Sequence, residues 1–320
     1  MLFRTNSAFR GRFLVGFGVA SLTLLIALPS AAKPRVGAAT MADTEANTVY
    51  FPSGDGQTEL VGYVFKPSGR GPFPAIVMLH GRAGPYSANV NASCTFVRRA
   101  ERSPCNAETQ SMRAKMWGAF WAERGVLAIH VDSFGPRGRG HGFGRNTHGD
   151  ADREAVNELT VRPLDAEGAL EYLHQRGDIK SGRIAIQGWS NGASTTLNVM
   201  YRQVTRTTRS EGFKQALVFY PGCGSKAILS TKAYEAGAPT TVFLGGDDEE
   251  VNPDNCRQAL SGARAGLNDA KGSVEIVWYE GATHDFDDPG KSRQAVLANV
   301  SAKTDSMTRA ARIISLSLLR

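Results

Sequence analysis

From residue 49 onward, short apolar runs alternate with longer amphipathic stretches. The apolar runs predict strands over 60–66, 75–80, 126–131, 183–188, 215–220, 240–245 and 274–279. Most are unbroken, as in strands covered on both faces, rather than alternating like half-solvated ones. Helical patterns fill 111–124, 164–176, 191–201, 255–267 and 293 to the C-terminus. This alternation predicts an α/β class: a doubly wound, mostly parallel sheet with helices on both faces. The first two strands precede any helix and are expected to form an antiparallel edge. Two stretches, 82–109 and 134–160, are long and irregular, and the second carries six glycines. Both leave carboxyl ends of strands, the edge where open α/β sheets keep their sites. The connection 222–239 is short and leaves no room for a large cap domain.

The first 32 residues read differently. Arg4, Arg10 and Arg12 form a positive segment without acids, followed by an uncharged, mostly apolar run over 13–28 and then Pro29-Ser30-Ala31-Ala32. That order is a secretory signal with small residues before the cut. An uncleaved anchor is the alternative, but the run is shorter than the roughly 20 residues a spanning helix needs. The expected organisation is a signal peptide over 1–32 and a single domain over 33–320, exported to the periplasm or secreted. No stable membrane insertion is expected after cleavage.

Composition narrows the class. Apolar residues make up 42% and charged residues 21%, which excludes a disordered or fibrous chain. The formal charge of +7 suggests a nucleic-acid partner, but three of those charges leave with the signal. The rest is scattered: Arg98, Arg99 and Arg102 are diluted by Glu101, and Arg202, Arg206 and Arg209 by Glu211. A nucleic-acid surface would need them gathered on one face, so none is expected. Glycine, 35 of 320 residues, is in excess and concentrates in the candidate site loops.

Export also changes how the four cysteines are read. Cys94, Cys105, Cys223 and Cys256 are an even set in an oxidising compartment, which implies two disulfides. Three pairings are possible. Cys94 with Cys105 would close a short polar loop, and Cys223 with Cys256 would join two neighbouring loops. The spacing lacks a CxxC unit, so a zinc site is a weak rival; no metal or cofactor is expected.

The chemistry centres on Gly188-Trp189-Ser190-Asn191-Gly192, a G-x-S-x-G segment between a predicted strand and a predicted helix. Strand, sharp turn and helix together hold a serine hydroxyl up at the sheet edge, and the flanking glycines avoid Cβ clashes. A glycine-rich turn with an N-cap serine would use the same residues. A nucleophilic serine needs a base and then an acid, in the chain order Ser, acid, His for such a sheet. Of six histidines only His284 follows Ser190. The acid should follow the strand over 240–245, where Asp247, Asp248, Glu249 and Glu250 stand in a row. Asp248 is the choice, with Asp247 and Glu249 as alternatives. Oxyanion donors are expected from the backbone N–H groups of Asn191 and of Arg82, in the His80-Gly81-Arg82-Ala83-Gly84 turn.

With these residues in place, the chain resembles the dienelactone hydrolase family of α/β-hydrolases. The motifs are Val77-Met-Leu-His-Gly81, Val131-Asp132-Ser-Phe134-Gly-Pro-Arg137-Gly138, Gly188-Trp-Ser-Asn-Gly192, Tyr220-Pro-Gly-Cys223, Asp248-Glu-Glu-Val-Asn-Pro253 and Gly281-Ala-Thr-His284-Asp-Phe286. The resemblance runs from about residue 61 to the C-terminus. It departs from the best-known members, which are cytoplasmic and use a cysteine nucleophile, whereas this chain has Ser190 and an export signal. Together these imply an exported serine hydrolase acting on a small-molecule carboxylic ester or lactone. A thioesterase or peptidase shares every residue named, and a non-catalytic binding protein on the same scaffold is the rival from another class. Trp189 and Phe286 could line an acyl pocket or pack in the core. Arg137 and Arg139 could pair a substrate carboxylate, or Arg137 could pair with Asp132 or another core acid. The substrate and the oligomeric state are not encoded in any motif.

Overall fold

The computed structural model describes residues 46–205, 212–224, 226–227, 229, 234–261, 263–265 and 273–320. The expected signal over 1–32 therefore lies outside the described residues. In chain order the elements are β1 (Asn47–Pro52), β2 (Glu59–Phe65), β3 (Phe73–Leu79), α1 (Ala88–Asn91), α2 (Met112–Ala122), β4 (Leu127–Asp132), α3 (Ala151–Glu154), α4 (Arg162–His174), β5 (Ile179–Trp189) and α5 (Asn191–Val204). They continue with β6 (Ala216–Phe219), β7 (Glu235–Ala236), β8 (Thr240–Gly245), α6 (Pro253–Ser261), β9 (Arg264–Ala265), β10 (Val274–Tyr279), α7 (Lys291–Gln294) and α8 (Leu297–Leu318).

Eight strands form one sheet in the order β1-β2-β4-β3-β5-β6-β8-β10. Every residue of β3, β4 and β8 is buried, which explains why their sequences run apolar without alternation. One face is covered by α4 and α5, through Leu170, Leu173, Leu197 and Met200. The other is covered by α2 and α8, through Trp117, Trp121, Ala310 and Ile314. Among the described residues no helix is long and apolar enough to cross a membrane.

The expected antiparallel edge is corrected in its membership. β2 pairs antiparallel with β1 and with β4, whereas β3 lies parallel between β4 and β5. β1 was missed because only Phe51 of its six residues is buried, so no continuous apolar run marks it. The helix expected over 255–267 is shorter, α6 ending at Ser261 ahead of β9. The C-terminal helix is two, α7 and α8, separated at Val296, whose extended backbone (φ −83°, ψ 114°) interrupts the helix.

The topology sets the site. The chain leaves β3, crosses to β4 on one side, and returns through α4 to β5 on the other. The strand order thus reverses around β3, and ligands of open α/β sheets bind outside the carboxyl ends at such a switch point. The two long loops are tied together above that edge: Gly140 N–H donates to Thr95 O (2.9 Å) and Phe143 N–H to Arg82 O (2.8 Å). Disulfides join Cys94 to Cys105 and Cys223 to Cys256, with Cα–Cα distances of 5.8 and 5.1 Å.

Candidate active site

Ser190 occupies the turn between β5 and α5 with φ +51° and ψ −115°. A non-glycine residue there carries about 1–3 kcal/mol of strain, held by its surroundings. Both flanking glycines are required by close approach. A Cβ on Gly188 would lie 2.2 Å from Gly192 O, and one on Gly192 would lie 2.2 Å from Leu79 O. The G-x-S-x-G spacing therefore has a steric cause: backbone passes where any side chain would sit.

His284 follows β10 and reaches Ser190 across the carboxyl edge. Its Nδ1–H donates to Asp248 Oδ2 at 2.7 Å, which leaves Nε2 to accept from the Ser190 hydroxyl at 3.0 Å. The His284 and Asp248 side chains are 2% and 1% exposed. Asp248 Oδ1 accepts from the backbone N–H groups of Glu250 and Val251, each at 2.9 Å, so the acid is held by its own turn. Its neighbours do other things. Glu249 accepts from His284 N–H (2.9 Å) and pairs with Arg293 (2.6 Å). Asp247 is exposed, and its N–H donates to Ala282 O at 2.9 Å.

Burial opposes charging of His284. The Asp248 hydrogen bond and the charges of Asp285, Asp248 and Glu250 outweigh it, and the imidazole pKa is raised above 6.5. Glu250, which reasoning from the sequence passed over as one acid in a run, lies 4.0 Å from His284 Nε2. Arg82 (2.8 Å) and Arg145 (2.6 Å) both pair with it. Burial alone would raise its pKa, but these arginines and His284 hold the carboxyl below its usual range.

The expected oxyanion donors flank Ser190. Asn191 is the first residue of α5, where an N–H has no intrahelical acceptor. On the other side the turn after β3 passes close, a Cβ on Gly81 falling 3.5 Å from Ser190 Cβ. The Gly81 carbonyl accepts from His80 Nδ1–H at 2.7 Å and from Gly84 N–H at 3.2 Å. A trans peptide then aims the following N–H, that of Arg82, the opposite way. Ser190, Asn191 and Arg82 line one cleft of about 280 Å³, with Arg145, Arg153 and Glu250 among its walls.

Three expected pocket residues are elsewhere. Trp189 is 2% exposed, and its indole N–H donates to Asp287 Oδ2 (2.8 Å) beneath the sheet edge. Phe286 is fully buried between Tyr220 and Tyr279, with ring centroids 5.2 Å from each. Arg137 binds Asp165 with two hydrogen bonds of 2.9 Å and Asp55 with one of 3.1 Å. Its partner is Asp165 rather than Asp132, which instead caps the N–H groups of Phe134 and Gly135. Trp189 and Arg137 have their polar atoms satisfied away from the cleft, and Phe286 is packed in the core. Arg139 pairs with Asp152.

Sequence reasoning also missed the buried arginines. Arg113 reaches Tyr220, Asp285 and Asp287 behind His284. Arg162 reaches the Asn191 side chain and the His80 carbonyl from below Ser190's turn. Only the His284-Asp-Phe-Asp287 run hinted at the first, and nothing in the sequence hinted at the second.

A profile of the dienelactone hydrolase family matches residues 142–315, more than half of the chain. Among solved structures, a Klebsiella pneumoniae protein described as a dienelactone hydrolase is 19% identical, with a TM-score of 0.60, covering 84% of this chain and 98% of its own. A puromycin-hydrolysing peptidase from Mycobacterium tuberculosis is 19% identical, with a TM-score of 0.57, covering 86% of this chain and 40% of its own. A thermophilic esterase from Thermogutta terrifontis is 16% identical, with a TM-score of 0.54, covering 86% of this chain and 94% of its own. At such identities the likeness speaks to the fold, an α/β-hydrolase sheet, and the family follows from the sequence profile. The chain belongs to the dienelactone hydrolase family and is a hydrolase.

Proposed function

We propose that the protein is an exported serine hydrolase that cleaves a carboxylic ester or lactone through an acyl-enzyme. The observation that carries this reading is the run of hydrogen bonds from Ser190 Oγ to His284 Nε2 and from Nδ1 to Asp248, on a strained turn at the mouth of a cleft.

In the reaction, His284 Nε2 takes the Ser190 proton as Oγ attacks the ester carbonyl carbon. Asp248 holds the tautomer and stabilises the imidazolium. The carbonyl oxygen gains negative charge, which the N–H groups of Asn191 and Arg82 receive; one such donor is worth about 3–4 kcal/mol. The C–O bond to the alcohol then breaks, and His284 returns the proton to the leaving oxygen. Water, deprotonated by His284, repeats the attack on the acyl-Ser190 and releases the acid. The small, polar cleft suits a compact substrate. The Arg4-Arg10-Arg12 segment with its apolar run, and two disulfides of the kind that persist in oxidising compartments, support export.

Purified protein should be labelled by a fluorophosphonate on Ser190, shown by peptide mapping, and should turn over p-nitrophenyl acetate faster than an acyl thioester or a peptide anilide. Absence of labelling rejects the serine mechanism, and faster peptide cleavage rejects the ester assignment.

The His284 shift predicts the pH profile. Only neutral imidazole can accept the serine proton, and its pKa is raised, so kcat/KM should rise with pH through an apparent pKa above 6.5. The same raised value means that His284 contributes stability below about 6.5 that is lost as pH rises through the folded pKa. An acid limb centred below 6.5 contradicts this.

A further inference from the structure

Arg162, the first residue of α4, has no exposed surface. Among the described residues no carboxylate lies within the 4.0 Å of an ion pair, and its Nε–H has no partner. Its two hydrogen bonds go elsewhere. Nη2 donates to the His80 carbonyl at 2.8 Å, and Nη1 donates to the Asn191 side-chain oxygen. The guanidinium faces the Phe134 ring at 5.0 Å. An ion removed from water without a counter-ion costs several kcal/mol. In keeping with that cost, burial brings its pKa down to about 10 although Asp165 and Glu158 pull the other way.

The placement is specific. One contact holds the segment two residues before Arg82, and the other holds the side chain of Asn191, so a single side chain bridges the two strand ends that carry the oxyanion N–H groups. Its charge also depresses His80, after burial, well below 6.5. A neutral His80 keeps Nδ1 as donor to Gly81 O and Nε2 as acceptor from Ser133 N–H (3.3 Å). The orientation of the Gly81–Arg82 peptide rests on that tautomer.

We propose that Arg162 is a positioning residue that sets the spacing of the two oxyanion donors and supplies an unneutralised positive charge beneath them. The inference rests on the serine mechanism proposed above. In a dry, low-dielectric site such a charge stabilises the tetrahedral oxyanion and does little for the neutral ester, so it should act on kcat and not on KM.

The test uses the whole protein with p-nitrophenyl acetate as substrate and phenylboronic acid as a mimic of the tetrahedral adduct. Asn191→Asp keeps an acceptor for Arg162, so the fold should persist, but it cancels the charge. kcat is expected to fall about 10- to 100-fold with KM within about twofold and the melting temperature at or above the parent's. The boronate inhibition constant should rise in proportion to the loss of kcat/KM. Arg162→Lys, which keeps the charge and loses one of the two anchors, should lose about tenfold in kcat. Ser190→Ala is the control that separates the two readings. If it stays active, the serine mechanism fails. If it is inactive while Asn191→Asp keeps the parent's kcat and boronate affinity, the role of Arg162 is overturned and the mechanism stands.

Discussion

Ester turnover should fall by about four to six orders of magnitude when Ser190 is replaced by alanine, while the protein remains folded. The loss is large because the remaining groups, His284 and the oxyanion donors, act on a bond that only the serine oxygen can form. Folding should be spared for a steric reason. The φ of +51° is disfavoured by a Cβ, and alanine keeps that Cβ, so strain neither rises nor falls. The hydroxyl gives up one hydrogen bond, to His284 at 3.0 Å, worth about 1 kcal/mol in net stability. Hydrolysis of p-nitrophenyl acetate and a thermal melt on the same sample check both halves. Turnover near the parent's rate would remove Ser190 from the mechanism.

Asp287→Ala should be the most damaging change outside the hydrogen-bonded relay, destabilising the fold by about 3–5 kcal/mol. Its fully buried carboxylate accepts from Tyr220 Oη (2.5 Å), Trp117 Nε1 (2.7 Å) and Trp189 Nε1 (2.8 Å), with Arg113 3.7 Å away. Burial, with the nearby Asp285 charge, raises its pKa, while Arg113 and the hydrogen bonds from Tyr220 and Trp117 pull it back. Alanine would leave a phenol and two indoles unsatisfied in a dry core. The damage should spread to activity, because Trp189 precedes Ser190 and the Tyr220 ring lies 4.7 Å from that of His284. A urea melt measures the effect. A loss under about 1 kcal/mol would mean that the cluster is not the joint between β5, α2 and the histidine loop.

Some of this was legible in the chain and some was not. The inner strands were readable because burial on both faces demands unbroken apolar runs, a local property. The elbow was readable because the close approach of Gly188 and Gly192 to backbone excludes any side chain, so the constraint is written in residue type. β1 was not, since an edge strand with one buried residue looks like a loop until its partner is known. Nor was the sheet order: the apolar runs of β2 and β3 are equivalent, and only the crossovers decide that one lies at the antiparallel side and the other in the parallel centre.

The same division runs through the site. The order of Ser190, an acidic cluster and His284 was set by the sequence alone, which carries a single histidine after the serine. Which acid hydrogen-bonds to His284 was decided by tertiary structure. Asp247, Asp248 and Glu249 are chemically near-equivalent, and a turn that buries one carboxylate while exposing its neighbour makes the choice. The roles of Trp189, Phe286, Arg137 and Arg162 belong to the second class too. A side chain's type and local periodicity are carried along the chain, but its partner is met across space. Arg137 finds Asp165, Trp189 finds Asp287 98 residues away, and Arg162 finds Asn191 29 residues away. Whether an arginine holds substrate or scaffold depends on that partner, and only folding brings the two together.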